Sequence, residues 1–293
     1  MTRLFTAMVT PFDDRLQVDY ARAGELAARL VEQGSDGLVV AGSTGEGAVL
    51  EPGERLRLLE TVVARVGDRA TVVASTGSNC TAATIALTRE AAVTGVHGCM
   101  VVVPYYNKPS QEGMYRHFAS VADTSTVPLM VYNVPGRTGA NLLPSTLARL
   151  ARLGNLRWVK EAGGSLDQAS EYVLAVQDTA VEVLSGDDSL TLPILAVGGK
   201  GVVSVASHLV AADLRRMLQA HCAGRVGEAA AIHQRLFPLF RGLFLTTNPV
   251  PVKAALALAG FAVGPPRLPL VQATEAEEQT LKAILADLKL LAG

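Results

Sequence analysis

Eight short apolar runs rich in β-branched residues recur along the chain, each followed by a longer Ala-, Leu-, Arg- and Glu-rich stretch with helical spacing. The runs cover residues 4–10, 37–41, 71–75, 98–103, 128–132, 157–160, 181–185 and 201–205, bounded by Gly, Pro or Asn. A strand with one wet face alternates apolar with polar residues. These runs do not alternate, so both of their faces must be covered, as in a parallel sheet packed under helices. Helical patterns fall near 19–33, 52–66, 80–94, 110–123, 144–153, 165–178 and 188–198, and an eighth is expected after His208. Ser110 with Gly113, and Pro144 with Ser145, suit two of the helix starts. Eight strand-helix units in about 220 residues predict an α/β fold, a (β/α)8 TIM barrel. An open dinucleotide-binding sheet would carry G-x-G-x-x-G after its first strand, but the first run ends in Thr10-Pro11-Phe12.

Beyond residue 224 the pattern is wholly helical, near 227–241, 249–260 and 275–291, broken by the proline-rich stretch 264–269. The reading is therefore a catalytic barrel over 1–224 and a C-terminal helical extension over 225–293. With 293 residues and 49% hydrophobic side chains the chain can fill a core of that size. Its 26 basic and 27 acidic residues leave a net charge of −1, which gives no field to attract nucleic acid or an anionic membrane. Small molecules or further copies of the chain are the expected partners. The three cysteines, Cys80, Cys99 and Cys222, lie far apart with no C-x-x-C pair, as suits a reducing cytoplasm. The N-terminus reaches Pro11 and Asp13 too early for a signal peptide, and no apolar segment approaches the ~18 residues of a membrane span.

In such a barrel the chemistry belongs to residues that end a strand or open the next loop. Lysine is scarce, six against twenty arginines, and only Lys160 stands at the top of a run, after Trp158 and Val159. Burial lowers an amine's pKa and frees the lone pair that attacks a carbonyl to give a Schiff base. The plainer reading is a lysine that ends a strand and pairs with Glu161 in solvent. Lys200 precedes its strand, Lys108 lies in a loop, and Lys253, Lys282 and Lys289 fall on expected helices, so none competes well. Imine chemistry also needs a proton shuttle, and Ser43, Thr44, Tyr106 and Tyr132 place hydroxyls on the same rim. Each alone reads equally as a loop cap or a packing residue. Gly198-Gly199-Lys200-Gly201 could cradle phosphate, but it precedes the eighth strand and suits a tight turn better. Asp187-Asp188, after Gly186, lacks further ligands for a cation and suits helix capping. The five histidines are scattered without ligand spacing, so no zinc site is implied.

Several segments together resemble a known family. They are Gly42-Ser43-Thr44-Gly45-Glu46, the stretch 105–113 beginning Tyr105-Tyr106-Asn107-Lys108-Pro109, Tyr132-Asn133-Val134-Pro135-Gly136-Arg137-Thr138-Gly139, Lys160-Glu161, and Asn248-Pro249-Val250-Pro251-Val252-Lys253. In order and over essentially the whole chain they are similar to the dihydrodipicolinate synthase and N-acetylneuraminate lyase family of pyruvate-dependent class I aldolases. The resemblance implies that Lys160 forms an imine with pyruvate, whose enamine attacks L-aspartate 4-semialdehyde on the route to diaminopimelate and lysine, with no metal or organic cofactor. It assigns Tyr132 as proton donor and acceptor, Ser43 and Tyr106 as the rest of a relay, and Thr44 as holder of the pyruvate carboxylate. Arg137 would clamp the aldehyde substrate's carboxylate, while Gly186 and the backbone carbonyl of Val203 would face the substrate. Tyr106 would reach a neighbouring subunit's site, implying a homo-oligomer, a tetramer built as a dimer of dimers, in the cytoplasm.

Three functional readings stand beside one another. Arg137 in its R-T-G setting favours the synthase; a lyase acting on a sugar acid or 4-hydroxy-2-oxoglutarate is the alternative within the family. A catalytically silent barrel that binds a metabolite is the third. Two departures from the family pattern matter. The relay hydroxyl is Ser43 where the synthases usually carry threonine, so a donor remains without the methyl that restricts its rotamer. Enzymes inhibited by lysine often carry a histidine and a glutamate in a feedback pocket, where this chain reads Leu50-Glu51-Pro52-Gly53-Glu54-Arg55 and, four residues after Asn79, Ala83. Lysine inhibition is therefore expected to be weak or absent; a titration in which micromolar lysine abolishes the rate would refute this.

Overall fold

The structure, a computed structural model, describes residues 2–292. The expected ranges 1–224 and 225–293 begin and end on Met1 and Gly293, which lie outside the described residues. Eight parallel strands close into a barrel in chain order: β1 (Arg3–Ala7), β2 (Gly37–Val40), β3 (Thr71–Ser75), β4 (Gly98–Val102), β5 (Leu129–Asn133), β6 (Leu156–Glu161), β7 (Glu182–Ser185) and β8 (Gly201–Ser204). Helices α1 (Tyr20–Glu32), α2 (Pro52–Val66), α3 (Thr81–Ala92) and α4 (Gln111–Thr124) follow the first four strands. Then come α5 (Pro135–Thr138), α6 (Pro144–Leu150), α7 (Leu166–Val176), α8 (Thr191–Ala196) and α9 (Ser207–Cys222). The chain continues through α10 (Val226–Gly242), α11 (Val250–Leu258) and α12 (Glu275–Asp287).

Large and absent side chains together fill the lower barrel. Phe5 and Trp158 meet edge to face inside it, with ring centroids 5.9 Å apart. Gly37 and Gly98 face these rings, and a Cβ on either would stand 2.8 Å from Phe5 or 3.1 Å from Trp158. Two residues above Trp158 on the same face of β6 comes Lys160, one step closer to the mouth. Its neighbour across the ladder is Tyr132, paired Cα to Cα, so the two side chains share the barrel interior.

Some boundaries differ from the sequence expectation. The first run was expected to be a strand over 4–10, but pairing stops at Ala7. Met8, Val9 and Thr10 stay buried because other groups take over their polar atoms: the Val9 N–H donates to His208 Nε2 at 3.1 Å and Thr10 Oγ1 to the Gly45 carbonyl at 2.6 Å. Helix 188–198 divides into a 3-10 turn, Asp188–Leu190, and α8, while the last helix ends at Asp287 and not near 291. The short helix α5, set off by Pro135 and by Gly139 at φ 69°, carries Arg137 and was not anticipated. Ser110 caps α4 as expected, accepting from the Gly113 N–H at 3.2 Å. Gly198 and Gly201, at φ 108° and 148°, form the tight turn into β8.

The helices after α9 are tied to the loop that leaves β2. Lys253 on α11 lies 2.5 Å from Glu46, both side chains almost wholly buried, and its Nζ sits 4.2 Å from the Phe12 ring centroid. Arg267 forks onto Glu54 with two 2.6 Å bonds, and its N–H donates to Glu46 at 2.8 Å. Asn248 Nδ2 donates to Thr44 Oγ1 at 2.8 Å. Breaking a buried pair from one side strands a charge in the protein interior. Lys253→Met should therefore lower stability by about 3–5 kcal/mol, and adding Glu46→Gln should recover part of it. Urea unfolding checks this, with equal midpoints for Lys253→Met and the parent protein as the outcome that would refute it.

Candidate active site

Lys160 is 6% exposed and sits at the carboxyl end of β6. Its Nζ lies 4.3 Å from the centroid of the Tyr132 ring. Burial, with Arg137 nearby adding to it and Asp188 opposing it, pushes the amine's pKa down to about 8. The reading in which Lys160 pairs with Glu161 in solvent is not what the structure contains. Glu161 points to the other face of β6, where it accepts from Asn133 Nδ2 at 2.9 Å, Gly163 N–H at 2.7 Å and Gln168 Nε2 at 3.2 Å. Gly186, at the exit of β7, lies against the lysine stem: a Cβ there would stand 3.0 Å from both Lys160 Cγ and Cε. Only a residue without a side chain leaves that path open.

Beside Tyr132 opens a cavity of about 510 Å3 whose walls include Ser43, Arg55, Ser75, Tyr132, Arg137 and Asn248; Lys160 lies behind the Tyr132 ring and is not part of its wall. Tyr132 is buried and desolvation raises its phenol to about 12, so it holds its proton at neutral pH. Thr44 is buried beside Ser43, its hydroxyl fixed by Asn248. Val203 is buried within β8, paired with Phe5 and thus facing the same interior. The cavity gathers Ser43, Tyr132 and Arg137, while Lys160 contacts Tyr132, Thr44 adjoins Ser43, Gly186 lies against the lysine stem and Val203 sits in β8 outside the cavity wall. Tyr106 stands apart. It is 87% exposed on a left-handed backbone at φ 74°, and within one chain it does not line the cavity.

The charge of the cavity favours anions. Arg137 is exposed on its wall, and Arg55 is held there by bonds to the Ser75 carbonyl at 2.9 Å and the Gly47 carbonyl at 2.6 Å. The acidic wall residue Glu46 is already engaged by Lys253. Two guanidinium groups near a partly neutral amine suit a substrate with two carboxylates. Among the described residues no group of three or more His, Cys, Asp or Glu gathers as a metal site.

Three features escaped the sequence reading. Lys253 is buried with its pKa lowered by desolvation, although it seemed an ordinary helix lysine; its ion pair with Glu46 holds it in the charged form. Asn248 braces Thr44 from a loop far along the chain, a contact no local pattern signals. Asp187 does cap the 3-10 turn, accepting from the Ser189 N–H at 2.9 Å, but Asp188 does not cap it. Its buried carboxylate accepts from Ser204 Oγ and from the Val205 and Ala206 N–H groups at 2.9 Å each, reaching across to the exit of β8.

Comparison with known proteins gives a consistent picture. Residues 1–288 match the group described as the Dihydrodipicolinate synthetase family. A 4-hydroxy-tetrahydrodipicolinate synthase of Heliobacterium modesticaldum is 57% identical over 284 residues, covering 97% of this chain and 94% of the relative. A dihydrodipicolinate synthase crystal structure from Cyanidioschyzon merolae, with lysine bound, is 44% identical with a TM-score of 0.96 and 99% of each chain covered. One from Bacillus anthracis is 43% identical with a TM-score of 0.95 and 97% of each chain covered.

An amine with a pKa of about 8 is half deprotonated near that pH. Labelling of Lys160 by a small carbonyl compound and borohydride should accordingly rise through pH about 8, and Arg137→Ala, by removing a positive neighbour, should move the midpoint upward. A midpoint at the ordinary 10.5, read by mass spectrometry across a pH series, would contradict the desolvated amine.

Proposed function

The chain belongs to the dihydrodipicolinate synthetase family, and from that premise we propose that it condenses pyruvate with L-aspartate 4-semialdehyde to 4-hydroxy-tetrahydrodipicolinate through a Schiff base on Lys160. It is a class I lyase on the route to diaminopimelate and lysine. The observation that carries the reading is a lysine amine buried at the mouth of the barrel, bonded to no carboxylate among the described residues, against the ring of a protonated tyrosine.

The unprotonated Nζ attacks C2 of pyruvate, and the carbinolamine loses its hydroxyl as water once a proton is supplied. Tyr132, which burial keeps protonated, is the donor adjacent to that bond. Loss of a proton from the methyl carbon of the imine gives an enamine, whose carbon bonds to the aldehyde carbon while the aldehyde oxygen takes up a proton. The amino group of the second substrate then attacks the former C2, closes the ring and displaces Lys160. Thr44, held by Asn248, receives the pyruvate carboxylate; Val203 offers its carbonyl; Gly186 leaves room for the lysine to swing. Arg137 takes the second substrate's carboxylate. No metal or organic cofactor enters these steps.

Ser43 relays the proton of Tyr132 to solvent together with Tyr106 from a second chain. The Tyr106 ring, left 87% exposed on a left-handed backbone, supports a second chain that covers it. The assembly proposed is a homotetramer made of two such dimers, working in the cytoplasm, with the barrel of 1–224 catalytic and the extension of 225–293 bracing its mouth. No helix among the described residues is long and apolar enough to cross a membrane.

Two measurements test the assignment. Borohydride treatment with pyruvate should add one reduced pyruvyl group to the protein and none to Lys160→Ala, and a coupled assay should show turnover with aspartate semialdehyde. Cleavage of N-acetylneuraminate or another sugar acid without that turnover would transfer the enzyme to the alternative activity, and no adduct at all would refute the Schiff base.

A further inference from the structure

The barrel is joined least firmly beside its lysine. Adjacent strands elsewhere share three to five paired positions, but β7 and β8 share only Ser185 with Val202, with one further backbone bond at the entry to β8, from the Lys200 N–H to the Val183 carbonyl at 2.8 Å. Both strands leave this seam directly into candidate site residues: Gly186 follows β7, and Val203 lies in the upper half of β8. A parallel ladder this short leaves the relative height of its two exits poorly determined.

Asp188 spans the gap. From the turn after β7 its carboxylate accepts the Ser204 hydroxyl and the N–H groups of Val205 and Ala206, so it occupies the backbone donors that β8 leaves unpaired as it ends. Ser204 Oγ in turn accepts the Ser207 N–H at 2.9 Å, carrying the brace into the start of α9. Burial raises the Asp188 carboxyl above the ordinary carboxylate range, and three donors, two of them fixed backbone dipoles, work against that rise in favour of the ionised form. Two residues back along the same turn, Gly186 touches the stem of Lys160.

We propose that Asp188 is a positioning residue for the chemistry at Lys160: its carboxylate sews the exits of β7 and β8 together and carries its charge two residues from Gly186, the glycine that lies against the lysine stem. This rests on the Schiff-base reading and extends it. The brace sets Gly186 and the Val203 carbonyl at the height where the lysine and its adduct meet them. The charge favours the cationic forms through which the amine passes, the iminium above all. The groups acting on the amine from neighbouring elements are Arg137 on α5, which opposes its positive charge, and Asp188, which favours it, with the Tyr132 phenol of β5 in contact. Asp187 and Glu161 act on Tyr132, and Glu161 is turned away into Asn133, Gly163 and Gln168.

Asp188→Asn separates the charge from the brace. The amide oxygen can still accept the two N–H groups and the amide nitrogen can donate to Ser204 Oγ, so the seam has partners but the charge is gone. Without a negative neighbour the amine's pKa falls, and the acid limb of pyruvate imine formation should move down by about one pH unit. A residue that merely kept water out would act oppositely, since a hydrated lysine titrates higher. The imperfect brace should also cost about tenfold to a hundredfold in kcat, with KM for the aldehyde little changed. The experiment measures borohydride-trapped adduct against pH, and steady-state rates, for the parent enzyme, Asp188→Asn and Ser204→Ala. Ser204→Ala keeps the charge and removes one donor, so kcat should fall a few-fold with the acid limb unmoved. Absence of adduct in the parent enzyme would refute the Schiff-base reading itself. With the adduct present there, an Asp188→Asn limb that stays or moves upward would overturn the inference, as would a Ser204→Ala enzyme with parental kcat, which can be read even where Asp188→Asn yields no folded protein.

Discussion

An ammonium group placed in a protein interior must find a counter-charge or give up its proton. Two lysines in this chain resolve that constraint in opposite ways, and the working of the molecule follows from the difference. Lys253 meets Glu46 at 2.5 Å and stays charged, a fastener between α11 and the loop after β2. Lys160 has Tyr132's ring at 4.3 Å and Arg137 nearby, and burial brings its pKa to about 8. A similar degree of burial leaves one lysine charged and paired and the other able to lose its proton near pH 8. The partner decides.

The position of Lys160 follows from packing below it. Phe5 and Trp158 can lie edge to face in the lower barrel because Gly37 and Gly98 have no side chains to place there. That packed floor closes the barrel beneath the amine, and the two-residue step of β6 lifts Lys160 just clear of it. Gly186 repeats the device higher up, where the missing side chain makes room for the lysine stem. In all three places a glycine makes room for a specific neighbour.

Much of this was legible in the sequence. Eight uninterrupted apolar runs reported their own two-sided burial, so strand number, parallel order and the place of Lys160 at a strand exit could be read directly. Misjudged boundaries came where burial and pairing part company: Met8 to Thr10 are as apolar as a strand but are satisfied by His208, Gly45 and the β2 backbone. Lys253 and Asp188 were misjudged for another reason. Each has an unremarkable local setting, a helix and a turn, and takes its character from partners on distant strands or loops that no periodicity reveals. Tyr106 is the converse case, a residue marked in the motif whose ring finds no place within one chain.

The C-terminal helices are therefore part of the site's mechanics. A TIM barrel supplies strand exits but leaves its βα loops free to move, and a two-substrate condensation needs those loops at fixed heights. Here the loop after β2 carries Ser43, Thr44 and Glu46, and three contacts from beyond α10 hold it: Asn248 to Thr44, Lys253 to Glu46, and Arg267 to Glu54 at the start of α2. On the far side of the mouth Asp188 performs the corresponding task for the β7 and β8 exits. The hydroxyls of the β2 loop and the amine of Lys160 thus belong to separately braced walls, and the protein sets the width of the gap between them before any substrate arrives.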